Sequence, residues 1–360
     1  MPRCDCCNQE AIQPLVTVDS MELCPSCFAS ETAVCDCCGT RILIRDAIMD
    51  DFLTLCDSCY NSSYTNCTEC GRIIESCDAI YGRNGLPYCE CCYDSYRQEL
   101  IHPYHYKPAP IFFGEGSRFF GVELEVDEGG EEDDAAEELL QITGDQMYIK
   151  HDGSLDEGFE MVTHPMTLDY HCHHFPWKEV TQKAVSLGYL SHKTDTCGLH
   201  IHVNRTSLGD TEEQQESTIA RILYFVEEHW NELVRFSRRT YYQLDRWASR
   251  YGRKDSPKEL LSDIKKEGYG RYACVNLKNY ATIEFRIFRG TLRYQTIIAA
   301  LQLVDEICRA AISMSDEQMQ NLSWSDFVSV LDKSACSELI EYLKMRRLYV
   351  NEPQNSEEDV

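Results

Sequence analysis

The stretch FFGVELEVD, Phe119 to Asp127, alternates without a break. Val122, Leu124 and Val126 fall on one side of an extended chain, and Glu123, Glu125 and Asp127 fall on the other. Alternation alone describes a strand with one face in water. Three acids in register ask for more, because Glu and Asp are poor strand formers and like charges crowd one another. A hard divalent cation on the acidic face would remove that repulsion.

Three later stretches share the pattern. GLHIHVN (Gly198 to Asn204) sets Leu199, Ile201 and Val203 against His200, His202 and Asn204. RYACVNL (Arg271 to Leu277) sets Ala273, Val275 and Leu277 against Tyr272, Cys274 and Asn276. In ATIEFRIFRG (Ala281 to Gly290), Ile283, Phe285 and Ile287 oppose Glu284, Arg286 and, one step on, Phe288. Four such strands predict an α+β fold: an antiparallel sheet covered by helices on one face. Its open face would be a concave site lined with oxygen and nitrogen.

Composition bounds the function. A chain of 360 residues predicts two domains. Its net charge of −26 argues against a nucleic-acid partner, which needs a basic footprint. No apolar run approaches the length of a membrane span, and MPRCDCCNQE has no signal-peptide core. The expectation is a cytoplasmic protein with no membrane partner; the sequence is silent on oligomeric state.

Of 21 cysteines, 16 lie between Cys4 and Cys92, in units repeating about every 32 residues. The units are Cys4, Cys7, Cys24 and Cys27; Cys35, Cys38, Cys56 and Cys59; and Cys67, Cys70, Cys89 and Cys92. Each is C-x2-C, then 16 to 18 residues, then C-x2-C. Two such thiolate pairs complete a tetrahedral zinc site, so about three structural zincs are predicted. Cys6, Cys37, Cys77 and Cys91 are left over as spare thiols. The modules span about 1–32, 33–64 and 65–98, and resemble LIM-like or treble-clef zinc modules. Each has too few apolar residues for a core of its own. Their acidity suits protein binding or a structural cap better than DNA.

The proline- and aromatic-rich stretch 99–117 reads as a linker, residues 118–348 as the catalytic domain, and 349–360 as a disordered acidic tail. Met147 to Pro165 predicts two short strands around a turn at Asp152-Gly153, with Glu160 the acid of interest. His171, His173 and His174 read as a loop cluster. Helices are predicted at Trp177–Leu187, Thr211–Arg239 and Gln295–Met314, with two shorter ones after them. Arg235, Arg238, Arg239, Arg246, Arg250 and Arg253 form the one basic region, suited to phosphates or an acidic substrate, or simply a solvated helix end.

FFGVELEVD, HDGSLDEGFEMVTHP, CGLHIHVN and RYACVNLKNYATIEFRIFRGTL resemble, in order, the motif series of the amidoligase family. That family sits in the carboxylate–amine ligase superfamily with glutamine synthetase and glutamate–cysteine ligase. The resemblance covers roughly Phe112 to Glu306. It implies a curved antiparallel sheet holding ATP and divalent metal ions against a helical layer. It also implies ATP-dependent amide formation, often on peptide or protein substrates.

Elementary chemistry leads the same way. A carboxylate accepts an amine only once its oxygen becomes a leaving group, and phosphoryl transfer from ATP supplies one as an acyl phosphate. Glu123, Glu125 and Glu284 offer oxygen ligands for Mg²⁺ or Mn²⁺, with Glu160 a fourth that matches a family motif acid. Arg286, and with it Arg271 or Arg289, would neutralise the transferring phosphoryl. His200 and His202 would bind phosphate, ligate a metal or move the amine proton, and Asn276 shares the front of the sheet. The zinc modules would present a peptide or protein substrate. Two rival classes are a zinc-dependent hydrolase built on His200 and His202, and a non-catalytic adaptor with a ligase-like domain.

Overall fold

The computed structural model describes residues 2–10, 12–13, 15–82, 85–97, 100–267 and 270–349. The chain divides into two units, residues 1–99 and 100–360.

In the first unit a single turn recurs. Asn8, Gly39 and Gly71 each donate a backbone N–H to the carbonyl four residues earlier, that of Cys4, Cys35 and Cys67. All three sit at positive φ (58°, 71° and 74°), the left-handed conformation that Asn and Gly tolerate best. Each turn folds a C-x2-C pair so that both sulfurs face one point. The second pair of each unit opens a short helix, Pro25–Glu31, Asp57–Ser63 or Glu90–Arg97, after a two-stranded hairpin.

The apolar cores are small and overlap. Leu43 packs with Cys4, Val18 and Leu23 of the preceding module, and Ile73 packs with Cys35 and Leu55. Asp50 ties the same junction by accepting from the Ile73 N–H at 2.7 Å. The third module packs Tyr88, Tyr93 and Tyr96 around Cys67, with the Tyr88 and Tyr96 rings stacked at 5.0 Å.

The second unit is a mixed α/β body with a seven-stranded, mostly antiparallel sheet. Its strands are β1 (Ile101–His102), β2 (Phe120–Val126), β3 (Met147–Lys150), β4 (Phe159–Thr163), β5 (Gly198–Asn204), β6 (Val275–Asn276) and β7 (Thr282–Arg289). They lie in the order β1-β3-β4-β2-β5-β7-β6, and only β1 and β3 run parallel. β2 is the middle strand. Phe120, Val122, Leu124 and Val126 on its back are buried in one core with residues of α4 (Glu212–Glu228), α5 (Trp230–Ser237) and α8 (Tyr294–Ser313). Truncating one of them, such as Leu124→Ala, costs about 3 kcal/mol, the usual figure for a cavity in a close-packed core. A capping box starts α4: Thr211 Oγ1 accepts from Gln214 N, and Gln214 Oε1 accepts from Thr211 N.

Several expectations are corrected. The single helix expected over Thr211–Arg239 is two, broken at His229, whose ring lies between Phe225 (4.5 Å) and Trp324 (5.7 Å). The strand expected over Arg271–Leu277 shrinks to Val275–Asn276, because Ser249 pairs with Ala273 in an isolated bridge instead. The stretch read as a linker, 99–117, supplies β1 from its described residues. It also packs Tyr106 against His102 and Tyr148, so its aromatics hold it on the sheet edge. The His171–His174 segment is helical: α2 (Leu168–His173) buries His171 and leaves His173 and His174 outside with Asp169. Residues 350–360 of the expected tail lie outside the described residues.

β7 carries a further departure. Its pairing with β5 runs His202↔Glu284 and Ile201↔Phe285, then jumps to Leu199↔Phe288 and Gly198↔Arg289. The extra residue is a β-bulge at Arg286 and Ile287. It turns Phe288 into the core, against Phe236 at 5.9 Å, rather than onto the front. Arg289 takes the front position across from Gly198.

Candidate functional site

The sheet's register sets polar side chains in three rows across the face opposite its apolar core, where most of them are buried. The first runs Lys150, Glu160, Glu125, then Gly198 and Arg289. The second runs from Tyr148 past Val162 to Glu123 and His200. The third pairs His202 with Glu284, and Glu284 with Asn276. Period-two patterning puts these residues on one face, and the pairing register makes them neighbours.

Contacts within the rows are close. His200 Nδ1 lies 3.3 Å from Glu123 Oε2 and 3.8 Å from Glu284 Oε1, and its Nε2 lies 3.8 Å from Glu125 Oε1. His202 Nε2 lies 3.1 Å from Glu123 Oε1, and its Nδ1 is 3.1 Å from Thr282 Oγ1. Glu284 accepts from Asn276 Nδ2 (2.8 Å), Asn279 Nδ2 (3.2 Å) and Arg286 Nη1. Arg286 Nε donates to the Trp247 carbonyl at 3.4 Å. Glu125 accepts from the Gly198 N–H. A Cβ at Gly198 would stand 2.5 Å from Arg239 Nη2 and 2.6 Å from His200 Nε2, so only glycine lets both approach.

The charges explain the titration of the site. Burial would raise Glu123, but the His202 charge and hydrogen bonds from both histidines hold its carboxyl well below the ordinary range. Burial opposes the proton on His202, yet Glu123 and Glu284 outweigh it and raise that imidazole. Burial and then the Glu123 charge push Glu160 well above the ordinary range, with Lys150 opposing. Lys150, whose Nζ is 2.9 Å from Glu160 Oε2, is raised because Glu160 and Glu123 outweigh burial. A carboxylate forced toward its protonated form by its neighbours is what a bound cation relieves. Glu123, His200 and Glu284 each offer a donor atom within 4.8 Å of one another, a set that could hold a divalent ion: the carboxylate oxygens suit Mg²⁺ or Mn²⁺, whereas the imidazole nitrogen suits a softer ion such as zinc.

Glu123, Glu125, Glu160, Glu284, His200, His202, Arg286 and Asn276 therefore share one face. Arg271 does not join them: it is exposed and donates to Tyr104 and Tyr272 hydroxyls, each at 2.7 Å. Asp127 leaves the acidic row as well. It lies just past β2 and accepts from the Glu128, Asp156 and Glu157 N–H groups and from Thr196 Oγ1, pinning the loop before β4. Cys197 is buried, with burial pushing its thiol up to about 12, which makes it a poor nucleophile.

Two participants, Lys150 and Tyr148, escape the sequence reading, and a third, Arg239, enters it only as one member of a basic region. Lys150 and Tyr148 are accessible to it, since MYIK alternates like the other strands. Arg239 has no periodic signal: it follows the left-handed Arg238 (φ 63°) and turns inward, while Arg250 and Arg253 pair with Glu227 and Glu228.

The cysteine clusters pass a geometric test for zinc. In each of the three, the four sulfurs lie within 4.8 Å of one another. Facing sulfurs are 3.9 Å apart for Cys7 and Cys24, 3.9 Å for Cys38 and Cys56, and 3.8 Å for Cys70 and Cys89. A tetrahedron with zinc–sulfur bonds of about 2.3 Å has edges of about 3.8 Å. Among the described residues no helix is long and apolar enough to cross a membrane.

No curated protein matches the chain at a significant level. Residues 142–308, which carry β3 through β7 and most of α8, match the family described as "Putative amidoligase enzyme".

Proposed function

We propose that the second unit is an ATP-dependent carboxylate–amine ligase. The observation that carries this reading is the single sheet face on which four largely buried carboxylates meet Lys150, Arg239 and Arg286. Carboxylates alone suit a metal site, and cations alone suit an anion site. Both together suit a reaction in which metal-bound nucleotide gives a phosphoryl group to a carboxylate.

Glu123, Glu125 and Glu284, with Glu160 beside them, are the residues assigned to hold Mg²⁺ or Mn²⁺. A divalent ion there would screen the phosphate oxygens. Arg286 is fixed by Glu284 and the Trp247 carbonyl, so its charge stands ready where a phosphoryl and a carboxylate would both be negative. The substrate carboxylate takes the γ-phosphoryl, giving an acyl phosphate and ADP. The amine then attacks the acyl carbon, and phosphate leaves. His200, among three carboxylates, is assigned the amine's proton. Asn276 and Asn279 position Glu284 rather than touch substrate. The zinc modules, with three zincs, are assigned the recruitment of a peptide or protein substrate.

A second reading rests on His200 with Glu123 and Glu284, a donor set that zinc would also accept. A zinc hydrolase has no need of the facing cations. The deciding experiment incubates the protein with Mg²⁺, ATP and mixtures of acids and amines, scored for ADP and new amides by mass spectrometry. Amide cleavage without nucleotide would favour the hydrolase.

A further inference from the structure

The chain has 60 acidic side chains against 34 Lys and Arg, so most exposed cations should find an acid. Many do: Arg118, Arg221, Arg250, Arg253 and Arg309 all pair with Asp or Glu. One end of the second unit behaves differently. Arg235, Arg238, Arg239, Arg289, Arg293 and Arg346 form no ion pair among the described residues. Four of them have guanidinium groups that turn instead to backbone oxygens or sulfur. Arg239 Nε donates to Phe288 O (3.1 Å), and Arg289 Nη1 and Nη2 to Arg238 O (3.4 Å) and Thr194 O (3.3 Å). Arg346 donates to Arg235 O at 2.8 and 3.0 Å, and Arg293 to Met345 Sδ at 3.8 Å. Arg289 Nε is buried with no hydrogen-bond partner among the described residues. The acid within electrostatic reach of Arg289 is Asp195, which is beyond ion-pair distance.

These cations crowd one another and form a path. Arg239, only 5% exposed, is pushed down to about 10 by burial, with Glu125 opposing and Arg286 and Arg289 adding to the fall. His192 is pushed down to about 4 by burial and by Arg238, Arg289 and Arg346. The path begins at Arg286 beside the carboxylates, passes Arg239 and Arg289 at Gly198, and reaches the surface at Arg238, Arg235 and Arg346. Such an arrangement is costly without an anion along its length.

We propose that this arginine track is the binding groove for the acid substrate, and that the substrate is an acidic peptide carrying several carboxylates. The inference rests on the ligase reading for its reacting end. Guanidinium groups take carboxylates in two parallel hydrogen bonds, and a row of them matches a row of acidic side chains. A nucleotide triphosphate has one compact cluster of charge, already screened by its metal. It leaves the outer arginines, on α5, at the start of α8 and at the end of α11 (Ser337–Met345), without an occupant.

The test is fluorescence anisotropy of a labelled hexaglutamate peptide with the full zinc-loaded chain and no nucleotide, alongside a hexaglutamine control. The double variant Arg235→Gln/Arg238→Gly removes two outer, exposed side chains, and glycine accepts the left-handed φ at position 238 without strain. The expected result is hexaglutamate binding well above hexaglutamine, at least tenfold weaker in the variant, with Mg·ATP affinity within twofold. Equal binding of the two peptides overturns the proposal. So does a variant that loses Mg·ATP affinity while keeping hexaglutamate, which would make the track a nucleotide site. Arg253→Gln, which breaks the pair with Glu228, should bind peptide like the wild type. Because no nucleotide is present, a failure of ligation leaves this result standing, and a failure here leaves ligation of simple acids to be judged by itself.

Discussion

Lys150 and Glu160 face each other across β3 and β4, Nζ to Oε2 at 2.9 Å, with side chains 10% and 2% exposed. The lysine is the positive charge that opposes repulsion between Glu160 and Glu123. Lys150→Met should therefore destabilise the second unit by about 3 kcal/mol at pH 7.5, the scale for stripping one partner from a buried pair. The loss should shrink at pH 5, where Glu160, pushed well above the ordinary carboxylate range, is held protonated and needs less opposing charge, while Glu123 stays ionised. Urea unfolding at the two pH values reads it. Equal losses at both would mean that Lys150 matters for packing alone.

Arg286 tests the chemistry. Arg286→Met should lower ligation by two to three orders of magnitude, about 3–4 kcal/mol of lost charge stabilisation. Arg286→Lys should recover only part, because lysine keeps the charge and loses the fork. If Arg286 serves only to neutralise Glu284, Met will harm stability far more than turnover per folded molecule.

The carboxylates make a sharper set. Glu123→Gln and Glu125→Gln should each abolish Mg²⁺-dependent ATP turnover, and the amide oxygen introduced by Glu125→Gln can still accept from the Gly198 N–H. Glu284→Gln should also cost stability, since it leaves Arg286 buried without its acid. Normal turnover in all three would remove the metal assignment.

The cysteine clusters predict about three zincs per chain by elemental analysis. A chelator should unfold residues 1–99 and leave the second unit folded, a separation that tryptophan fluorescence reports because all four tryptophans lie beyond residue 100. Recovery of one zinc or none from carefully purified protein would sink the module reading.

His171 sets an acid limit. Its Nε2 meets Phe120 O at 3.1 Å, and Trp177 Nε1 donates to its Nδ1 at 3.3 Å. Burial pushes it down to about 4, against an ordinary 6.5. The folded state therefore keeps it neutral while the unfolded chain takes up a proton below pH 6.5. Stability from this residue is complete above that value and falls as pH drops toward 4, by about 3 kcal/mol in all. His171→Gln should flatten that part of the stability curve.

How much of this is legible depends on periodicity. β2, β5 and β7 as far as Phe285 announce their two faces because side chains alternate there, so the shared face of Glu123, His200, His202 and Glu284 follows from counting. The same counting misplaces Phe288, since a bulge adds one residue with no mark in the pattern. Lys150 obeys the alternation, but nothing local sets it apart from a solvated lysine; its role comes from the acids that the register brings beside it. Arg271 looks like a strand residue, but only two residues of its stretch pair. Arg239 depends on how a chain turns after a helix end, a tertiary outcome with no local signature. The break at His229 is of the same kind: helix periodicity continues through it while ring packing interrupts it.

The overlapping cores of the first unit give the array a polarity. Each core borrows a residue from the module that follows, Leu43 for the first and Ile73 for the second, whereas the third fills its own with tyrosines. Shortening the chain from its beginning takes away a borrower and leaves the lenders intact. Cutting the third module away strips Ile73 from the core around Cys35 and weakens a site whose four cysteines are all still present. The array therefore tolerates loss at its front better than at its rear, where the third module completes the core of the second.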